Sequence, residues 1–175
     1  MKKEKDSGVG ALPYQTMIEL IESGCISGSQ EKNVRPASLD LSISDEIYQV
    51  EGIFQPKKSE TVRQVLDKIK KKPYSLGKNL VKDQMYLIRL NETFSLPQVV
   101  YGVCNPKSTS GRLDMHVRLI ADGVSRYDMV NHGFKGELWI SVIPKTFSIN
   151  LFVGASLNQI RFFNADTRLN NFEIE

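Results

Sequence analysis

Apolar side chains recur along this chain with two periods, and the switch from one period to the other marks out its elements. Pro13 suits the first turn of a helix because it has no N–H to lose there. After it, Tyr14, Met17, Leu20 and Ile21 fall at helical spacing until Gly24 offers a C-terminal stop. That pattern predicts a short amphipathic N-terminal helix. In SLDLSIS the residues Leu39, Leu41 and Ile43 alternate strictly with polar ones, the period of a half-buried strand. The stretch 52–82 changes character again. Val62, Val65, Leu66 and Ile69 predict a helix, bounded by Pro56 on one side and by Pro73 and Gly77 on the other, and the stretch reads as an insertion against the core.

From Met85 onward short strand-like runs follow one another: MYLIRL, VVYGVC, HVRLI, ELWISVI, INLFV and NQIRFF, separated by turn-forming Pro, Gly, Asn and Asp. Many short strands with few helices predict a mainly β fold, a barrel or jelly-roll-like core decorated by two helices. No internal repeat is visible. One domain is expected over 10–163, with a flexible N-terminus at 1–9 and a C-terminal tail at 164–175.

Composition narrows the function classes. With 175 residues, 41% hydrophobic and 25% charged, the chain is long enough to bury one core. A net charge of +3, with lysines and arginines interspersed among acids, gives no footprint for nucleic acid. Lys68, Lys70, Lys71 and Lys72 form the one basic cluster, expected at a solvated helix end where cations suit the dipole. Cys25 and Cys104 are too few for a disulfide framework and belong to no metal-binding spacing, so both are expected as buried thiols. The charged MKKEKD start is followed by no apolar h-region, and no apolar run approaches bilayer length, which predicts a cytoplasmic protein.

The densest polar segment is Asn105-Pro106-Lys107-Ser108-Thr109-Ser110-Gly111-Arg112, lying between two apolar runs. Two cations, Lys107 and Arg112, with the hydroxyls of Ser108, Thr109 and Ser110, are what a polyphosphate needs to offset its charge and satisfy its oxygens. A hydrophilic turn with a Ser/Thr helix cap has the same composition, so composition alone leaves both readings open.

NPKSTSGRLD resembles the phosphate-binding motif of dCTP deaminases and is similar to the Arg-Ser-Gly motif of dUTPases, which share a fold. RPASLDL, residues 35–41, resembles the early Pro-x-Ser-[Leu/Ile]-Asp-Leu strand of that superfamily. Gly133-Phe134-Lys135-Gly136 resembles its Gly-[aromatic]-x-Gly turn, and GASLNQIRFF its closing Gly-x-x-x-x-Gln strand, which carries Gln159. With the 52–82 insertion, the chain looks most like the N-terminal half of the longer, two-domain dCTP deaminases. The resemblance spans residues 10 to 163.

The resemblance implies a distorted jelly roll of the dUTPase-like type that works as a homotrimer, with nucleotide sites between neighbouring subunits. It also implies dCTP or dUTP as ligand, with magnesium carried on the triphosphate. Lys107, Ser108, Thr109, Ser110 and Arg112 would hold the phosphates, and Gln159 would contact the nucleotide.

Two positions depart from the family pattern. Zinc-free deamination of cytosine needs a carboxylate to shuttle protons, and counting from Gly136 the expected Glu is replaced by Ser141. Glu137 lies on the same face of that strand but four residues back, roughly 13 Å at the usual rise. Read against dUTPases instead, the Asp expected six residues before Glu137 is Asn131, and Asp128 stands in if residues 129–132 are a loop excess. His116 and His132 carry ordinary expectations as surface histidines, and Trp139 is expected in packing or a subunit contact. Two functions compete on these grounds: an enzyme converting dCTP to dUTP or hydrolysing a deoxynucleoside triphosphate, and a non-catalytic nucleotide-binding or trimerisation domain of the same fold. The family's glycine-containing lid has no match in ADTRLNNFEIE.

Overall fold

In the computed structural model, which describes residues 9–52 and 55–166, two antiparallel sheets close over one core. The expected N-terminal arm and tail fall outside the described residues, except at Val9 and at 164–166. Helix α1 (Tyr14–Glu22) buries Met17 and Leu20, and the chain leaves it through Gly24 at φ +75°, a left-handed conformation that glycine adopts without steric cost. Then come β1 (Ile26–Ser27), β2 (Val34–Arg35), β3 (Ser38–Leu41), β4 (Ile43–Val50), α2 (Val62–Leu66), β5 (Lys71–Pro73) and β6 (Met85–Ser95). The second half holds β7 (Tyr101–Pro106), α3 (Ser108–Arg112), β8 (Met115–Ala121), β9 (Met129–Val130), β10 (Lys135–Pro144) and β11 (Asn158–Phe163). One sheet runs β5-β4-β6-β10-β8 with β1 added to β6; the other runs β2-β3-β11-β7-β9.

The single alternating run SLDLSIS turns out to be two strands. β3 lies in one sheet and β4 in the other, and Ser42 between them is the corner. Leu39, Leu41 and Ile43 all remain fully buried, so the inner face continues unbroken through a change of sheet. At the corner the Ser42 N–H and hydroxyl donate to the buried Glu92 carboxylate at 3.0 and 2.8 Å. The first of these bonds satisfies the Ser42 backbone N–H at the point where the chain passes from one sheet to the other.

The middle of the larger sheet is buried on both faces, which is why ELWISVI reads as a nearly continuous apolar run. Leu138, Ile140 and Val142 enter the main core, while Trp139 points outward into a second cluster with Leu87, Ile120, Val62 and Leu66. α2 covers that cluster. A capping box starts it: Thr61 accepts from the Gln64 N–H, and the Gln64 side chain accepts from the Thr61 N–H.

Four expectations need correction. The insertion helix ends at Leu66 and does not reach Ile69. Lys71 and Lys72 therefore sit on the edge strand β5, where cations discourage a further strand from pairing, and not at a helix end. INLFV forms no strand: Ile149 makes one isolated bridge to Leu80, and Phe152 and Val153 are exposed. Cys25 is only half-buried, whereas Cys104 is fully buried and burial pushes its thiol upward.

Candidate functional site

The outer face of the β2-β3-β11-β7-β9 sheet carries a polar row. Asp40, Gln159 and Asn105 stand in register on β3, β11 and β7, three neighbouring strands. Asp40 is almost wholly buried, and its Oδ2 takes Lys107 Nζ at 2.7 Å together with Arg35 Nε and Nη2 at 3.0 and 2.9 Å. Ser38 Oγ donates to Gln159 Oε1 at 3.2 Å. The RPASLDL and closing-strand motifs thus meet in space beside the phosphate-motif segment, with Arg35 and Asp40 as members that the residue-by-residue reading left out. The signal for Asp40 was the alternation itself: Ser38 and Asp40 are the polar positions of β3, an otherwise apolar strand.

The phosphate-motif segment folds into α3, with Lys107 at the N-cap position and its side chain turned to Asp40 instead of capping the helix. Ser108, Thr109 and Arg112 are exposed. Ser110 is fully buried and its hydroxyl donates to the Leu157 carbonyl at 2.6 Å, so in this arrangement it fastens α3 to the segment before β11 instead of facing solvent. The Lys107 N–H makes a second tie to the same carbonyl at 2.9 Å.

α3 leads through Leu113 and Asp114 into β8, and β8 brings a second feature into reach. His116, Arg118, Tyr127, Ser141 and Ile143 line a cavity of about 290 Å³ on the outer face of the larger sheet. Ser141 pairs directly with Arg118 across β10 and β8. The serine is 6% exposed, and its hydroxyl makes no hydrogen bond among the described residues. The lining holds one imidazole, His116, and no carboxylate.

Neither of the other acids singled out in the sequence enters this cavity. Glu137 accepts from Arg63 Nε at 2.8 Å and Arg89 Nε at 3.2 Å, and Arg63 also binds Glu46, so β4, β6, β10 and α2 share one charge cluster. Asp128 sits at φ +60°, a conformation uncommon outside glycine. Its backbone N–H and C=O pair with Leu119 and Cys104, its Oδ1 accepts from the Leu119 N–H at 2.8 Å, and its Oδ2 holds Arg118 Nε at 2.9 Å. Burial raises the Asp128 carboxyl above the usual range, against the opposing pull of the Leu119 hydrogen bond and Arg118. Asp128 therefore reaches the cavity only through Arg118, whose guanidinium also lies 5.7 Å from the Tyr127 ring centroid. Arg118 and Tyr127 were missed in the sequence, where they look like outward-facing strand and loop residues.

His132 packs against Tyr101 at 4.7 Å between ring centroids, away from the residues lining the cavity. Trp139 is fully buried beneath α2, with Arg63 5.3 Å from its ring centroid.

Residues 8–166 match the family model described as the 2'-deoxycytidine 5'-triphosphate deaminase (DCD) N-terminal domain. Among solved structures the chain is similar to the 2'-deoxycytidine 5'-triphosphate deaminase from Agrobacterium tumefaciens, with a TM-score of 0.86 and 30% sequence identity. The match covers 94% of this chain and 49% of that one, so the chain spans about half the length of that deaminase. It also overlaps the native dUTPase of EIAV at a TM-score of 0.41 and 13% identity, over 54% of this chain and 72% of that one. No curated protein matches. Among the described residues no helix is long and apolar enough to cross a membrane.

Proposed function

The chain belongs to the dCTP deaminase N-terminal domain family, and from that premise we propose that it binds a pyrimidine deoxynucleoside triphosphate but, alone, converts dCTP to dUTP slowly or not at all. Lys107, Ser108, Thr109 and Arg112 would hold the triphosphate, Gln159 would touch the nucleotide from β11, and the cavity floored by Ser141 would take the base.

The observation that carries this reading is that no carboxylate is among the residues lining the cavity, with Ser141 at the position where the family pattern has a glutamate. Hydrolytic deamination adds water at C4 of cytosine and expels ammonia, so one group must take a proton from the water and return one to the leaving nitrogen. A serine hydroxyl does neither at neutral pH. Glu137 is held by Arg63 and Arg89, and the Asp128 carboxylate by Arg118 and Leu119.

Magnesium would arrive on the nucleotide. Among the described residues no cluster of His, Cys, Asp or Glu stands ready to hold an ion, and Asp40 is already bound by Lys107 and Arg35. The donor set fits an ion carried by phosphate oxygens and water, where it would neutralise part of the phosphate charge. We extend the family's homotrimer and its cytoplasmic role in nucleotide metabolism to this chain; light scattering at micromolar concentration tests the first, a monomer counting against it.

A catalytic reading has one observation in its favour, the His116 imidazole in the cavity wall. Calorimetric titration with dCTP and dUTP in magnesium, followed by product identification, separates the readings. Binding without conversion supports the proposal. Absence of binding by both nucleotides removes it, and turnover near 1 s⁻¹ or above, an ordinary enzymatic rate of about that order, restores the enzyme.

A further inference from the structure

Asp40 meets two cations with one oxygen. Its Oδ2 takes Lys107 Nζ at 2.7 Å and Arg35 Nε and Nη2 at 3.0 and 2.9 Å, so an ammonium and a guanidinium converge on one point. No other acid pairs with either cation among the described residues, which leaves the cluster with an excess positive charge. The charges are also layered: the Asp40 side chain is 3% exposed, Lys107 27% and Arg35 52%, so a molecule arriving from solvent meets the cations before the acid. Arg35 is held along one edge of its fork. Nε and Nη2 face Asp40, while Nη1 makes no hydrogen bond among the described residues and keeps its N–H groups for another acceptor. A guanidinium fixed on one side with open donors on the other is set to take a phosphate.

The place of Arg35 in the fold identifies the phosphate. Arg112 ends α3, and the chain passes from it through Leu113 and Asp114 into β8, which carries His116 and Arg118 of the cavity. Lys107 stands at the other end of α3, where its side chain turns to β3 and Asp40. Arg35 lies one strand further, on β2, paired with Ser38, whose hydroxyl donates to Gln159. A nucleotide with its base in the cavity and its phosphates along α3 therefore runs from Arg112 toward Lys107 and ends at Arg35. We propose that Arg35 is a ligand of the terminal phosphate, a third cation after Arg112 and Lys107 and the one that distinguishes a triphosphate from a shorter phosphate chain. The inference rests on the proposed nucleotide binding and deepens it, adding to the site a residue that lies outside the phosphate-motif segment.

The probes are dUTP and dUDP with magnesium, titrated into the full chain by calorimetry. Wild type is expected to bind dUTP at least about tenfold more tightly than dUDP, the scale of one charge-assisted contact. Arg35→Gln should weaken dUTP by about tenfold or more and change dUDP by less than about threefold, while Arg35→Lys keeps a cation beside Asp40 and should keep dUTP ahead of dUDP. A wild-type ratio in a folded Arg35→Gln variant, checked by thermal melting, removes Arg35 from the site. Equal weakening of both nucleotides assigns its effect to the sheet instead of the terminal phosphate and also overturns the inference. Equal binding of dUTP and dUDP by wild type leaves no terminal-phosphate ligand to find, although nucleotide binding stands. Failure of both to bind sinks the inference together with the underlying function. If Arg35→Gln does not fold, the wild-type ratio and Arg35→Lys decide, and loss of the dUTP preference in the lysine variant counts against the role.

Discussion

Arg63 Nε donates to Glu137 Oε2 at 2.8 Å and joins an insertion helix to the strand that also carries Ser141. The same guanidinium binds both oxygens of Glu46 at 2.9 and 3.0 Å and lies over Trp139, so one side chain neutralises two carboxylates and covers an indole. The pairing accounts for the location of Glu137's charge: it is committed to holding the insertion in place, away from the cavity.

Removing that cation should loosen the insertion. Arg63→Ala leaves Glu46 and Glu137 facing one another with Arg89 alone between them, and takes the cation from the Trp139 ring. Arg63 is about half-exposed, so solvent screens the pairs and the expected loss is about 1–2 kcal/mol. Urea midpoints in low and high salt check it, because screening should narrow the gap between variant and wild type. Burial pulls Glu46 upward, but hydrogen bonds from Arg63 and Tyr48 outweigh it and hold the carboxyl below its ordinary value. The pair therefore stabilises above the carboxylate range, and its contribution fades as pH falls through it.

Glu92 gives the opposite sign. It is fully buried at the Ser42 corner, and burial raises its carboxyl from 4.5 to about 7 despite two hydrogen bonds from Ser42. A group raised on folding stabilises fully below its unfolded value and loses that contribution as pH rises through the folded one. Wild-type stability should thus decline between about pH 4.5 and about pH 7, by on the order of 3 kcal/mol from this group. In Glu92→Gln that slope should disappear. Urea denaturation across the range is the measurement, and parallel curves for the two proteins would refute it.

How much of this was legible beforehand depended on the range of the interaction. Alternation in SLDLSIS identified the buried face of Leu39, Leu41 and Ile43 but could not reveal the corner at Ser42, since a strand that changes sheets keeps its inner side. The Val62–Leu66 helix was visible from its spacing; its early end was not, because the following lysines pair as an edge strand with β4, a contact no local pattern encodes. Ser141 was legible by counting from Gly136. Its neighbour Arg118 was not, because strand pairing and an Asp128 at positive φ assemble that contact from separate segments.

Arg112 offers the cleanest test of the phosphate segment. Lys107 is bound to the buried Asp40, so its removal would disturb the sheet as well as any ligand. Arg112 is exposed at the end of α3 and has no ion pair among the described residues. Arg112→Ala should therefore leave the melting temperature unchanged and weaken triphosphate binding by roughly 1.5–3 kcal/mol, the range for a charge-assisted hydrogen bond. Calorimetry reads both the affinity and the fold; full affinity in the variant would take Arg112 out of the site.

Restoring a carboxylate at Ser141 joins the catalytic and binding arguments. Position 141 faces Arg118 in register and opens into a cavity of about 290 Å³, so a glutamate there has room to extend and a cation beside it to favour its ionised form. A positioned general acid–base group typically contributes 10²–10⁴-fold, and Ser141→Glu should raise dCTP deamination by a factor of that order over wild type. The new carboxylate should also improve dCTP binding relative to dUTP, since it accepts from the exocyclic amine of cytosine and repels the carbonyl that uracil carries there. Loss of cytosine absorbance follows the first effect and calorimetry the second. A wild-type rate of about 1 s⁻¹ or faster would mean that the chain already holds a working base, and His116, the imidazole in the cavity wall, would be the next residue to replace.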